Sequence, residues 1–333
     1  MEADTTAGKW YAPAAGRTTV GEWAEQWYTA GLSGWKPKTR HTYRSILDRL
    51  VVPALGHVQL IQLRPIQVRE WVGDMAGRVG AEQVRQGYRL LSQVMASAVD
   101  NDMIPVSPCR GVRLPRTPQG EPHILTIDEV TRLADACEPG DRVLVLLLAY
   151  GGLRIGEALP LRRRHLDVDG GRVVVEFAVT ELPGGPVIDT PKDHQRRELL
   201  VPAFVVEAVR RYLATVPDGP EVFVFPGRQK HTAARQQSYS GFRRRFRRAV
   251  AEVGLNDVTP HDLRATHASW VADSRGVMTA ARRLGHANAS VTTRHYARPI
   301  DERDAQVARH LDDLGAGRRS GTRRARKHRK GKS

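Results

Sequence analysis

Five side chains suited to phosphate-ester chemistry stand in four short segments between Gly151 and Tyr296 of this 333-residue sequence. Arg154 lies in Gly151-Gly152-Leu153-Arg154-Ile155-Gly156-Glu157, and His261 and Arg264 in Thr259-Pro260-His261-Asp262-Leu263-Arg264. His286 follows in Leu284-Gly285-His286, and Tyr296 ends Thr292-Thr293-Arg294-His295-Tyr296. A phosphodiester in transfer carries charge on its non-bridging oxygens. Two guanidiniums can meet those oxygens with planar, paired donors that never deprotonate, work otherwise given to a metal ion. A tyrosine hydroxyl titrates near about 10, so ionising it at neutral pH costs on the order of 4 kcal/mol, which nearby cations lower. Each segment alone also has a plainer reading: Arg154 and Glu157, three apart, could be a surface pair on a helix.

These residues need elements that hold them together. Val143 to Tyr150 is apolar on every side, as a buried helix would be, and the glycines after it allow a tight turn that presents Arg154 at the edge of a core. Thr259 as N-cap and Pro260 as first helical residue put His261 in a first turn with Arg264 one turn on, at a helix start where anions bind well. Leu284-Gly285 reads as a helix C-terminus that leaves His286 just beyond it.

The rest of the chain divides around this region. Thr19 to Glu22 is a capping box opening a helix with Val20, Trp23, Ala24, Trp27 and Tyr28 on one stripe. A second stripe carries Tyr43, Ile46, Leu47, Leu50 and Val51; a third, after Pro65, Val68, Trp71, Val72 and Met75; a fourth Val84, Tyr88, Leu91, Met95 and Ala98. Residues 17–110 thus read as a helical domain and 111–122 as an extended linker rich in Pro and Gly. Residues 123–315 read as an α+β domain, opened by a capping box at Thr126 to Glu129. Within it, Arg172 to Val179, Val187 to Thr190 and Glu198 to Val201 predict a small antiparallel sheet with a Pro-Gly turn at Pro183 to Pro186. Residues 1–16 read as a remnant or linker and 316–333 as a disordered basic tail. The fold class is mainly α, in two domains.

Lys and Arg number 52 against 36 Asp and Glu, a formal charge of +16 that points to a polyanionic partner. No stretch is apolar for the roughly 18 residues of a membrane span, and the start has no secretory leader, so a cytoplasmic protein is expected. Cys109 and Cys137 have neither the number nor the spacing for a disulfide framework or zinc site. His261 and His267 are six apart and share no helix face, and no His-Glu-x-x-His occurs, so neither a metal nor another cofactor is expected. Arg243, Arg244, Arg247 and Arg248 have no interleaved acids, which favours phosphate contact over a merely solvated face.

Taken together and in this order, the four segments closely resemble the tyrosine recombinase (phage integrase) family, with its Arg, His-x-x-Arg and Leu-Gly-His boxes and its Tyr nucleophile. The resemblance extends over nearly the whole chain, since Trp35-Lys36-Pro37-Lys38-Thr39 and Val52-Pro53-Ala54-Leu55-Gly56 resemble the family's helical core-binding domain. It implies a SAM-like amino-terminal domain and a catalytic domain of the DNA breaking–rejoining fold. It also implies that Arg154 and Arg264 clamp a scissile phosphate beside His261 and His286, that Tyr296 attacks, and that Glu157 supports the first arginine. The family's general-acid lysine lies on a β-hairpin, which favours Lys192, in a turn between Val187 to Thr190 and Glu198 to Val201, over Lys230. Lys36, Lys38, Arg40, Arg44, Arg243, Arg244 and Arg247 are the expected DNA contacts, and His267 and His295 read as packing or further contacts.

The implied partner is double-stranded DNA at core recombination sites. The chain would be monomeric when free and a homotetramer on DNA, helped by accessory DNA-bending or directionality proteins, without cofactor or membrane. Little precedes Thr18, so no separate arm-binding domain is expected, and Lys9 to Gly16 look like the end of such a segment. Integration, excision and dimer resolution stay open. So do a topoisomerase-like relaxing enzyme with the same tyrosine chemistry and a non-catalytic DNA-binding regulator.

Overall fold

The computed structural model describes residues 17–116, 122–190, 196–229, 232 and 234–285. Helix α1 (Val20–Gly31) starts where Thr19 and Glu22 cap one another: the Glu22 N–H donates to Thr19 Oγ1 and the Thr19 N–H to Glu22 Oε2. Helix α2 (Pro37–Ile46) does not stop at Pro53. A π segment, Leu47–Val51, takes up the slack before the short α3 (Val52–Leu55). The Val52 N–H reaches back five residues to Leu47, which adapts the backbone just ahead of a residue that has no N–H to donate.

Helices α4 (Pro65–Ala76) and α5 (Ala81–Asp100) complete this unit, with Val68, Trp71, Val72 and Met75 from one and Val84, Leu91, Met95 and Ala98 from the other in the core. Its two buried indoles keep hydrogen bonds, Trp23 Nε1 to the Val94 carbonyl and Trp71 Nε1 to that of Leu50, so neither polar atom is stranded. Trp27, Tyr28, Trp35 and Tyr43 form an aromatic cluster at the α1–α2 end, with ring centroids 4.8 to 5.8 Å apart. Cys109, Val112 and Leu114 pack against this same core.

A second core begins at Leu125. Helix α6 (Ile127–Asp135) is capped by Thr126 and Glu129, and α7 (Pro139–Gly151) is buried almost all round. Gly152 ends α7 in the left-handed region at φ 67°, and a Cβ there would come within 2.5 Å of the His267 ring, so this turn needs glycine on both counts. The short α8 (Ile155–Ala158) follows, then strands β1 (Leu166–Asp167), β2 (Arg172–Val175), β3 (Ala178–Leu182), β4 (Gly185–Asp189) and β5 (Arg197–Leu200). Helices α9 (Ala203–Leu213), α10 (Tyr239–Glu252), α11 (Pro260–Arg275) and α12 (Val277–Leu284) complete the described residues, with α6, α9 and α11 packed around α7.

The strands correct one expectation. They form two antiparallel sheets, β1-β2-β5 and β3-β4, and the run from Arg172 to Val179 splits between them. Pro183-Gly184 closes β3 onto β4 as a two-residue turn, with Leu182 opposite Gly185, so local pairing occupies β4. β5 therefore pairs with β2, where Leu199 faces the same core as Val173 and Val175. β4 and β5, the described strands on either side of Lys192 in the sequence, belong to different sheets; Lys192 itself lies outside the described residues, as does its rival Lys230. Among the described residues no helix is long and apolar enough to cross a membrane.

Candidate active site

Arg154 is the residue from which α8 starts, and Glu157 is three places into that helix. The Glu157 carboxylate accepts the Arg154 backbone N–H at 2.8 Å and its guanidinium Nη1 at 2.8 Å, so one acid fixes both the helix start and the side chain. Arg197, first residue of β5, adds two parallel bonds, Nη1 to Oε1 at 3.1 Å and Nη2 to Oε2 at 2.6 Å. Arg264 Nη1 stands 4.0 Å from Oε2. Three arginines from a helix start, a strand and a distant helix thus surround one carboxylate that is 1% exposed.

Burial on its own pushes the Glu157 carboxyl up. The hydrogen bonds and charge of Arg197, joined by the hydrogen bonds of Arg154, overcome it and hold the group down at about 2. It is a permanent anion at neutral pH. Two further bonds orient Arg264: it donates to the Gly152 carbonyl from Nη1 and to the Leu284 carbonyl at 2.9 Å from Nη2. These carbonyls end α7 and α12, where negative dipole ends suit a guanidinium. Thr259 and Asp262 cap the start of α11, on which Arg264 is buried and His261, one turn earlier, is exposed. His286 and Tyr296, like Lys192, lie outside the described residues.

His267 packs rather than facing solvent. Its Nδ1 lies 3.0 Å from the Ala149 carbonyl, which can only accept, and its Nε2 lies 3.0 Å from Arg283 Nε, which can only donate. The ring is therefore the neutral Nδ1–H tautomer. Burial, and then the charges of Arg283 and Arg264, keep it neutral by lowering its pKa to about 4. Arg283 also donates to the Tyr150 and Leu200 carbonyls, which ties α12 to α7 and β5.

The amino-terminal unit meets this region. A groove of roughly 600 Å³ is lined from one side by Lys36, Lys38 and Tyr43 and from the other by Arg154, Thr180 and Asp189. Lys36 Nζ sits 3.8 Å from the Asp189 carboxylate and donates to the Thr190 carbonyl at 3.4 Å. Arg40 is turned inward, donating to the Trp35 carbonyl, and Arg44 pairs with Glu25 and Asp48 while lying over the Tyr28 ring. On α10, Arg243, Arg244, Arg247 and Arg248 are exposed, while Arg245 points inward to Asp141.

Arg197 and Arg283 escaped sequence reasoning. For Arg197 a signal existed: residues two apart on a strand share a face, and Leu199 is core, so Arg197 points inward too. Arg283 carried none, because its partners, the His267 ring and two backbone carbonyls, are contributed by other elements.

The profile of the phage integrase family matches residues 123–303, and that of the phage integrase N-terminal SAM-like domain matches residues 19–76. Over 315 residues the chain is 30% identical to the prophage phiRv2 integrase of Mycobacterium tuberculosis, covering 91% of this chain and 82% of that one. It is 28% identical over 309 residues to the integrase of Mycobacterium phage L5, covering 90% and 81%. With the tyrosine recombinase XerC of Xanthomonas campestris it shares 27% over 264 residues, or 76% of each chain. Among solved structures, the Tn1549 transposon integrase in complex with a circular intermediate DNA matches with TM-score 0.77 at 19% identity, over 88% of this chain and 99% of that one. A lambda integrase dimer bound to a COC' core site matches at 0.68 and 18%, over 90% and 85%. These last two likenesses are of fold. The expected fold class, with its helical SAM-like unit and its mixed catalytic unit, is thereby borne out. A family profile over more than half the chain and a relative at 30% identity make this chain a member of the phage integrase family, a tyrosine-type site-specific DNA recombinase.

Proposed function

We propose that the chain cuts and rejoins duplex DNA at core sites through a covalent bond to Tyr296. The observation that carries this reading is the convergence of Arg154 and Arg264, 110 positions apart in sequence, beside one buried carboxylate at the edge of a groove shared by both units. In this reading the two guanidiniums neutralise the non-bridging oxygens of the scissile phosphate, with His261 and His286 beside them. Tyr296 gives its phenolic proton to a neighbouring imidazole, His261 or His286, and its oxygen bonds to phosphorus as the bond to the 5′ oxygen breaks; that oxygen takes a proton from Lys192 and leaves as a hydroxyl. The phosphodiester energy stays in the 3′-phosphotyrosine, so ligation by a 5′-hydroxyl of another duplex needs no ATP.

Residues 17–110 and 123–315 would close on DNA from opposite sides, joined by 111–122. Lys36, Lys38 and the outward arginines of α10 would contact phosphates. The working assembly is a homotetramer on two duplexes, formed from free monomers, and the protein acts in the cytoplasm.

The test incubates the purified chain with DNA fragments from around its own gene, without divalent metal, and traps covalent complexes by denaturation. A 3′ adduct with the wild type and none with Tyr296→Phe is the expected outcome, and it maps the core site. Specifically bound DNA that yields no adduct, even as a nicked suicide duplex, would overturn the reading.

A further inference from the structure

Arg197 belongs to none of the four motif segments, yet its side chain touches two of them. Its guanidinium grips Glu157 in a bidentate pair at 2.6 and 3.1 Å, which sets the plane of the carboxylate. That plane in turn aims Glu157 Oε1 at Arg154 Nη1, 2.8 Å away. The aliphatic stem lies under the end of α12. A Cβ on Gly285, which holds φ 66°, would stand 3.2 Å from Arg197 Cδ. One residue before Gly285 is the Leu284 carbonyl that orients Arg264.

The chemistry of the side chain also matters. Arg197 Nε is buried and has no hydrogen-bond partner among the described residues, a cost that an apolar space-filler under α12 would avoid. With two arginines on it, Glu157 keeps its charge, and neither its position nor its ionisation depends on Arg154 alone.

We infer that Arg197 is a positioning residue for cleavage, acting through Glu157 on Arg154 and through the end of α12 on Arg264, without itself touching the phosphate. This rests on the site proposed above. It predicts that losing Arg197 slows the chemical step in the manner of losing Arg154, because the defect is one of misdirected charge at the phosphate. A neutral phosphate then makes the defect shrink.

The experiment measures single-turnover covalent trapping at saturating DNA for wild type, Arg197→Met, Arg197→Lys and Arg154→Ala. It uses nicked suicide duplexes with either a phosphodiester or an uncharged methylphosphonate at the cleaved position. For Arg197→Met the expected result is trapping slowed about ten- to a hundredfold on the phosphodiester, DNA affinity within about threefold of wild type, and partial recovery with Lys. On the methylphosphonate, the deficits of Arg197→Met and Arg154→Ala relative to wild type shrink together. Trapping by Arg197→Met within about twofold of wild type, beside an inactive Arg154→Ala, overturns this proposal alone. An equal deficit on both substrates also overturns it, since that is how a merely structural loss behaves. Undiminished trapping by Arg154→Ala removes the site assignment and this proposal with it.

Discussion

Two buried carboxylates in the catalytic unit are held almost identically, and only one of them lies beside the proposed site. Glu157 is gripped by Arg154 and Arg197; Asp141 is gripped by Arg245 at 2.6 and 3.1 Å and by Arg228 at 3.0 Å. Around Asp141 the cations tie elements together: Arg245 also donates to Gln237, Arg228 also pairs with Glu138, and the cluster holds the arginine-rich α10 on the first turn of α7. Around Glu157 the cluster opens, with Arg154 35% exposed on the inter-unit groove and Arg264 at its rear. An arginine–carboxylate cluster is thus not by itself an active site. Exposure does not separate the two, since Arg228 is as open as Arg154; what differs is that Arg154 is joined at its carboxylate by Arg264, on a groove lined by both units.

The sharpest way to break this comparison is Arg154→Ala, for which covalent trapping at saturating DNA should fall about a hundred- to a thousandfold. A loss below about tenfold would remove the distinction between the clusters. Next come Glu157→Gln and Asp141→Asn, measured side by side. Both uncover buried cations, so urea unfolding should show losses on the order of 3 kcal/mol each. Trapping per folded molecule should drop only for Glu157→Gln; an equal drop for Asp141→Asn would mean the second cluster also serves chemistry.

A third test uses pH. His267 is lowered from 6.5 to about 4, so its contribution is complete above the unfolded value and is lost as pH falls between these two. Moving from pH 7 to pH 5 should therefore cost about 2 kcal/mol of unfolding free energy, a slope that His267→Gln should flatten. Glu157, lowered from 4.5 to about 2, holds its contribution to lower pH and loses it only below 4.5. A pH-independent stability between 7 and 5 would contradict the neutral buried imidazole. The smallest effect is expected from Arg247→Ala on the outer face of α10. The salt dependence of DNA binding should flatten by about one counterion, with trapping at saturation unchanged.

Local rules carried far in this chain. The capping boxes at Thr19 and Thr126 stand where predicted, as do the apolar stripes of α4 and α5 and the buried α7, because caps and 3.6-residue periodicity act within a few residues of one another. The pairing of Arg154 with Glu157 was equally legible, since it spans a single helical turn. Sheet topology was not. Two strands adjacent in sequence, β4 and β5, belong to different sheets, and no local pattern states which distant edge a strand will take.

The same division holds at the site. Residue types and order along the chain, with the family resemblance they carry, proposed Arg154, Glu157, His261 and Arg264, proposed Lys192, His286 and Tyr296 beyond the described residues, and suggested the chemistry they could share. That Arg197 completes the Glu157 cluster, that Arg264 is aimed by the carbonyls of Gly152 and Leu284, and that His267 is a neutral strut emerged from packing. Each depends on atoms from segments far apart in the chain, and their approach is set by which faces are buried together. Orientation and ionisation are properties of that shared burial, and a linear pattern of residues does not contain them.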